Sequence, residues 1–155
     1  KHLWSVFSSP LHTCAAFGLA KALPTLVRNC GVDVDCRIPG NRRTALHIAC
    51  MRGQWESAVT LVRSLSADVD AVDNHGQTAL HLCARFAPEL MHILISAGAY
   101  LNAKDLMGEG ETPLHCACAY AEAPDAIRLL LESNADIGAV TVAGHTPLHV
   151  AVRQN

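Results

Sequence analysis

The sequence predicts an all-α solenoid of stacked helix–turn–helix units. Three observations carry that prediction. First, Thr44-Ala45-Leu46-His47 recurs at one constant interval as Thr78-Ala79-Leu80-His81, Thr112-Pro113-Leu114-His115 and Thr146-Pro147-Leu148-His149, and a weaker copy, Ser9-Pro10-Leu11-His12, stands ahead of them. Second, another phrase alternates with it: Gly31-Val32-Asp33-Val34-Asp35, Ala67-Asp68-Val69-Asp70-Ala71, Gly98-Ala99-Tyr100-Leu101-Asn102-Ala103 and Ala135-Asp136-Ile137-Gly138-Ala139. Third, the 155 residues are 50% apolar but only 5% aromatic. Ala, Leu, Val and Cys must supply the packing, which suits short helices in thin layers. One such unit cannot bury its apolar face alone, and stacking gives a continuous core in which each layer touches only its neighbours.

Each unit reads in order. The Thr or Ser is an N-cap whose hydroxyl accepts from free backbone N–H groups of the first turn. Pro10, Pro113 and Pro147 follow at the first helical position, where no N–H is needed. A short first helix comes next, as over 45–51, with Leu46, Ala49 and Cys50 turned to neighbours. A second helix is expected over 56–65, 89–96 and 125–132, with Pro88 and Pro124 preceding two of them and Leu129-Leu130-Leu131 supplying a buried face. Pro24 falls inside the first unit's second helix and should kink or shorten it. Gly31 and Gly98 sit just past the second helix, where a left-handed cap is common. The Asp/Asn-rich phrase then turns outward to the next cap. One His recurs at a fixed position (His12, His47, His81, His115, His149), which fits a scaffold role, bonding the preceding Thr or a neighbouring turn.

Several function classes lose support. The formal net charge is −2, with no basic field or polybasic run, so neither direct nucleic-acid binding nor an anionic membrane is indicated. No apolar stretch approaches the roughly 20 residues of a membrane span. Seven Cys without compact spacing make a poor disulfide framework and point to a reducing, intracellular compartment. Cys116 and Cys118 diverge by about 200° on a helix, and free Cys packs as a small hydrophobe, so no metal site is expected. No Gly-x-Ser-x-Gly elbow appears, and Gly108-x-Gly110 is flanked by Glu109 and Glu111 instead of a phosphate-binding Lys. A non-enzyme without cofactor is the reading. The chain opens at Lys1 without Met and ends at Asn155 inside a fifth first helix, like a piece of a longer repeat array.

These motifs resemble the ankyrin-repeat family, whose hallmark is Thr-Pro-Leu-His-x-Ala, then Leu-Leu, then Gly-Ala-Asp-Val-Asn. The resemblance covers essentially the whole chain as one domain, residues 1–155, with repeats at about 1–37, 38–72, 73–104, 105–140 and a truncated 141–155. It implies paired antiparallel helices, β-hairpin fingers at about a right angle to them, and a concave surface of fingers and first helices that binds a protein partner. A monomer is expected. The period of 34 exceeds the family's usual 33. The second repeat gains a residue between Trp55 and Ala67, and the fourth gains one around 121–124. The third lacks the usual Gly near Phe86-Ala87, and a longer finger over 105–111 then restores the length. Trp55 is expected to pack on the stack.

Charge is uneven along the stack. Residues 37–72 carry five Arg against three acids, and residues 105–140 carry seven acids against Arg128 alone. The family's contact positions fall on Arg42, Arg43, Met51 and Arg52 in the second repeat. In the third they fall on Asn74, His75, Gln77, Arg85 and Phe86. In the fourth they fall on Leu106, Met107, Glu109, Glu111, Ala119 and Tyr120. Arg52, Phe86, Tyr120 and the long finger are the expected hot spot, being rich in residue types that dominate interface cores. Asn102 resembles the finger Asn that asparagine hydroxylation targets in this family. The irregular period and acidic finger rank NF-κB-inhibitor-type proteins first among parent classes. The alternative is the regulatory or targeting arm of a multidomain enzyme, a ubiquitin-ligase substrate receptor or an ion channel.

Overall fold

A computed structural model describes residues 9–106, 109–120 and 124–154. Its α-helices are α1 (Pro10–Ala16), α2 (Ala45–Met51), α3 (Trp55–Val59), α4 (Ala79–Phe86), α5 (Met91–Ser96), α6 (Pro113–Ala119), α7 (Pro124–Glu132) and α8 (Pro147–Gln154). The inner helices stack in one row, α1 on α2, α2 on α4, α4 on α6 and α6 on α8. Within a layer the outer helix packs on its inner one, as α3 on α2, α5 on α4 and α7 on α6. One apolar core runs through the stack from Leu11 to Ala135. It is built of Leu and Ala with Cys50, Cys83, Cys116 and Cys118, so these thiols fill space as expected.

The outer elements are less regular than the inner ones. The first layer has only a 3-10 turn, Ala20–Ala22, and a π turn, Thr25–Asn29, on either side of Pro24. Pro24 lacks the N–H that a continuous helix would use. The second layer's outer helix α3 continues into a π turn at Thr60–Ser64, which absorbs the extra residue between Trp55 and Ala67. A π turn is a one-residue bulge in an α-helix, so it takes up such an insertion. In the third layer a 3-10 turn, Pro88–Leu90, leads into α5. Gly18 and Gly53 make the inner-to-outer turn with positive φ, whereas Ala87 makes it with negative φ, at φ −151° and ψ 66°. The fourth layer's insertion at 121–123 and Met107 lie outside the described residues. Past the outer helices, Gly31 and Gly98 take positive φ as expected. Ser66 and Asn134 fill the same slot in the second and fourth layers.

The recurring His explains how layers are locked. Thr44, Thr78 and Thr112 each form a capping box in which the His three residues on takes the place usually held by Glu. The Thr44 N–H donates to His47 Nδ1 at 3.2 Å, leaving the ring's proton on Nε2. That Nε2–H donates to the Gln77 carbonyl at 3.0 Å. His12, His81 and His115 reach the carbonyls of Arg43, Glu111 and His145 in the same way. Each acceptor is the residue before the next layer's cap. Both sequence-level suggestions for this His, the preceding Thr and a neighbouring turn, are therefore realised at once.

The fingers differ from the expected β-hairpins. Each is a turn closed by backbone pairing, such as Ile38 N–H to Arg43 O and Asp73 N–H to Gln77 O, and no strand forms among the described residues. The legs are too short for a ladder. The fingers are nonetheless bonded in series through their backbones: Asn74 N–H to Asn41 O, Leu106 N–H to His75 O, and Val142 N–H to Glu109 O. A second series crosses the turns after the outer helices. Asp35, Asp70 and Asn102 accept from the backbone N–H groups of Asp68, Tyr100 and Asp136 at 3.0, 2.8 and 2.9 Å.

Candidate recognition surface

The fingers present one edge of the inner helices, because each finger leads directly into an N-cap Thr. The other edge lies one short helix away, about 10 Å at ~1.5 Å per residue. The contact positions read from the sequence divide between these edges.

On the finger edge, Arg42 is exposed and sits at φ 58°. The matching slot of the next three fingers holds Gly76, Gly110 and Gly144, all at positive φ. An L-residue there costs about 1 kcal/mol relative to its ordinary region, so Arg42 is held outward at an energetic disadvantage. Gly76 has a packing reason as well: a Cβ there would stand 2.7 Å from the Leu106 backbone nitrogen. Arg43 is half-buried, with its Nε 3.0 Å from Asp73 Oδ2. Buried Asp73 also accepts from the N–H groups of His75 and Gln77. Arg43 therefore has a scaffold partner in the neighbouring finger. Asn74 is exposed, though its side chain donates to the Gly40 carbonyl. His75 is half-buried. Gln77 departs from expectation: it is buried, because its carbonyl serves His47 and its N–H serves Asp73. Leu106 is 77% exposed at the finger tip. Glu109 is exposed, 3.9 Å from His145 Nδ1. Glu111 is half-buried, its N–H donating to Asp105 and its carbonyl accepting from His81.

On the far edge, Arg52 is exposed, while Met51 and Ala119 are half-buried, Met51 packing on the core. Arg85, Phe86 and Tyr120 converge. Arg85 Nε donates to the Tyr120 hydroxyl at 2.6 Å, and its guanidinium carbon lies 5.6 Å from the Phe86 ring centroid and 5.0 Å from that of Tyr120. The distances are those of cation–π contacts. Phe86 and Tyr120 remain 53% and 39% exposed. They bridge two layers on the surface. Phe17 is 65% exposed at the equivalent place in the first layer. It belongs to no hallmark motif, and only the repeat period marks it. Trp55 also differs from expectation: it is half-exposed and lines an outer groove with Lys21, Pro24 and Val59.

Asn102 is half-buried, and its amide oxygen holds the next layer's turn. Burial pushes the Cys116 thiol up to about 12 and raises Cys14 and Cys118 as well. The Cys83 thiol is raised chiefly by its contact with Cys50 and then by burial. None of the seven is in a disulfide, and no group of three or more His, Cys, Asp or Glu gathers to hold a metal among the described residues.

A sequence profile described as "Ankyrin repeats (3 copies)" matches residues 11–105 and again 87–155. The chain belongs to the ankyrin-repeat family. Curated relatives are similar over much of it. One is the E3 ubiquitin-protein ligase KEG of Arabidopsis thaliana, 38% identical over 111 residues, covering 71% of this chain and 7% of the relative. Ankyrin repeat and SOCS box protein 16 of Homo sapiens is 36% identical over 186 aligned residues, covering 93% and 40%. The nuclear factor NF-kappa-B p105 subunit of Gallus gallus is 29% identical over 149 residues, covering 94% and 15%. The chain thus spans well under half the length of these relatives. Ankyrin repeats are a protein–protein interaction module and a typically non-catalytic fold, so protein partners follow from the family. No helix among the described residues is long and apolar enough to cross a membrane.

Proposed function

We propose that this ankyrin-repeat solenoid binds an intracellular protein through its fingers and the far ends of its inner helices, with Arg42, Arg52, Phe86, Leu106, Glu109 and Tyr120 as anchors. Met107, on the same finger, belongs to this surface by its sequence position, and Glu111 adds charge. The observation that carries the proposal is Arg42. A cation occupies the left-handed slot that three other fingers give to Gly, and none of the core's hydrogen bonds requires its side chain. Rigid presentation keeps the ordering cost of binding low. The basic second layer and acidic fourth layer fix a partner's direction along the stack.

An inhibitor of an NF-κB-type transcription factor ranks first as parent, supported by the similarity to the p105 subunit. The similarity to a ubiquitin-protein ligase favours a second reading, the substrate-receptor arm of such an enzyme. Charge reversal tests the surface itself. Arg42→Glu, and separately Glu109→Lys with Glu111→Lys, should each remove partners that the wild-type chain recovers from cell extract. An unchanged set of partners for both variants would reject the proposal.

A further inference from the structure

Three contacts fix the direction of Arg85. Its Nε donates to the Tyr120 hydroxyl at 2.6 Å, and its guanidinium carbon lies 5.0 Å from the Tyr120 ring centroid and 5.6 Å from that of Phe86. Phe86 ends α4 and Tyr120 follows α6, so two layers of the stack hold one planar group. Aromatic rings engage the face of a guanidinium and leave its in-plane N–H groups free to donate. With Nε occupied, Nη1 and Nη2 remain, and their shared edge is the part of the fork that matches a carboxylate bidentately.

That edge lacks an anion. The ion pairs among the described residues are Arg43–Asp73, Arg128–Asp125 and His145–Glu109, and none involves Arg85. The described hydrogen bonds engage Arg85 through Nε alone. Two acids stand near without closing on it. Beyond the effect of burial, Glu111 raises and Arg85 lowers the Cys116 thiol, so both lie within electrostatic reach of it. The Glu111 carboxylate is turned to that thiol, with Oε2 4.0 Å from Sγ. Glu89 approaches Gly53 in the layer before. Arg85 is half-buried, so its charge is partly desolvated with no paired anion to offset the cost. Arg52 holds the place of Phe86 one repeat period earlier, is exposed, and also makes no ion pair among the described residues.

An unpaired fork between two exposed rings selects the chemistry of what docks there. The fork matches a planar anion with two oxygens, and the rings match apolar surface beside it. A singly charged anion fits better than a dianion, because only the Nη edge of one guanidinium faces it and Glu89 and Glu111 stand near with like charge. We propose that this cluster captures an aspartate or glutamate side chain of a partner protein. Its carboxylate is bidentate on Arg85 Nη1 and Nη2, and a flanking apolar side chain of the same segment covers Phe86 and Tyr120. Arg85 is then the central anchor of the far edge, and Arg52 adds attraction that steers the acidic segment toward it. The inference rests on the protein-binding reading above and names the residue type that this edge recognises.

Titration of the isotope-labelled full chain with the peptide acetyl-Leu-Asp-Phe-amide tests it, followed by NMR at the Arg85 Nε–H and at the backbone amides of Arg85, Phe86 and Tyr120. Control peptides carry Asn or phosphoserine in place of Asp. The Asp peptide should shift these signals saturably and bind about tenfold more tightly than the Asn peptide, the scale of a charge-assisted pair over a neutral one. It should bind at least as tightly as the phosphoserine peptide. Arg85→Gln should bring the Asp-to-Asn ratio to about one, and Arg85→Lys, which keeps the charge but loses the planar fork, should restore only part of it. Phe86→Ala should weaken both peptides about fivefold, the scale of an interface anchor, and leave their ratio unchanged. An unchanged thermal midpoint confirms that each variant is folded, and the ratio is read within one variant, so a merely structural role for Arg85 would not move it. The inference is overturned by equal binding of the Asp and Asn peptides, by tighter binding of the phosphoserine peptide, by the lack of a saturable shift at these signals, or by a ratio that survives Arg85→Gln. If that happens while partner recovery still depends on Arg42 and Glu109, only the Arg85 assignment falls. If recovery is indifferent too, the binding surface itself is misplaced.

Discussion

His47 Nε2 stands 3.0 Å from the carbonyl oxygen of Gln77, one layer further along the stack. The same ring accepts the Thr44 N–H at Nδ1, so it must be neutral to serve both partners. Protonating it would set two donors against each other in the core. Burial accordingly lowers the His47 pKa to about 4, and lowers those of His12 and His81. Between pH 6.5 and 4 the unfolded chain binds protons that the folded chain refuses. Stability is therefore full above about 6.5 and is lost as pH falls toward 4. His47 alone accounts for about 2 kcal/mol between about pH 7.5 and pH 5. Urea unfolding at those two pH values should show the loss, and His47→Gln should flatten the slope across that range. A midpoint that stays constant or rises on acidification would contradict this role.

Ser57 is a buried residue of α3, and its Oγ has no hydrogen-bond partner among the described residues. Removing an unsatisfied buried hydroxyl recovers its desolvation penalty without opening a large cavity. Ser57→Ala should raise stability by about 1 kcal/mol, read as a higher urea midpoint with unchanged slope. A destabilised variant would show that the hydroxyl has a partner.

Asp73 is buried and accepts from His75 N–H, Gln77 N–H and Arg43 Nε. Asp73→Ala would orphan two backbone donors and unpair a half-buried guanidinium. It should destabilise by about 3 kcal/mol, the range for losing hydrogen bonds to a charged group. Exposed Leu106→Ser, in the next finger, should change stability by less than ~0.5 kcal/mol. Comparable thermal shifts for the two variants would argue against a structural Asp73.

Arg42 trades stability for presentation. Arg42→Gly should stabilise the chain by about 1 kcal/mol, from relief of the left-handed strain, and should weaken partner recovery. A variant that is less stable, or that binds as well as wild type, would remove the ground for treating Arg42 as an anchor.

Much of this structure was legible in the sequence because a constant repeat period is a strong signal. It placed α2, the N-caps, the recurring His and the Pro24 break correctly. The finger series was not legible. Whether Arg43 reaches a partner or a neighbouring Asp73 depends on a contact with a different repeat, which no local pattern encodes. The burial of Gln77 has the same origin, since its carbonyl is claimed by the previous layer. Phe17 and the Arg42 slot are marked by the period alone, through positions 17, 52, 86 and 120, or 42, 76, 110 and 144. Such variable positions share no residue type, so the hallmark motifs pass over them. Ser66 and Asn134, filling the slot of Gly31 and Gly98, escaped because side chains other than Gly seldom announce a positive φ.

Recognition on the fingers and the far ends of the inner helices is tested most directly by hydrogen exchange of the chain, alone and bound to the partner it recovers. Added protection is expected in residues 41–43, 52–54, 74–77, 85–87, 109–111 and 120, with the outer helices α3, α5 and α7 unchanged. Protection confined to those outer helices would contradict it.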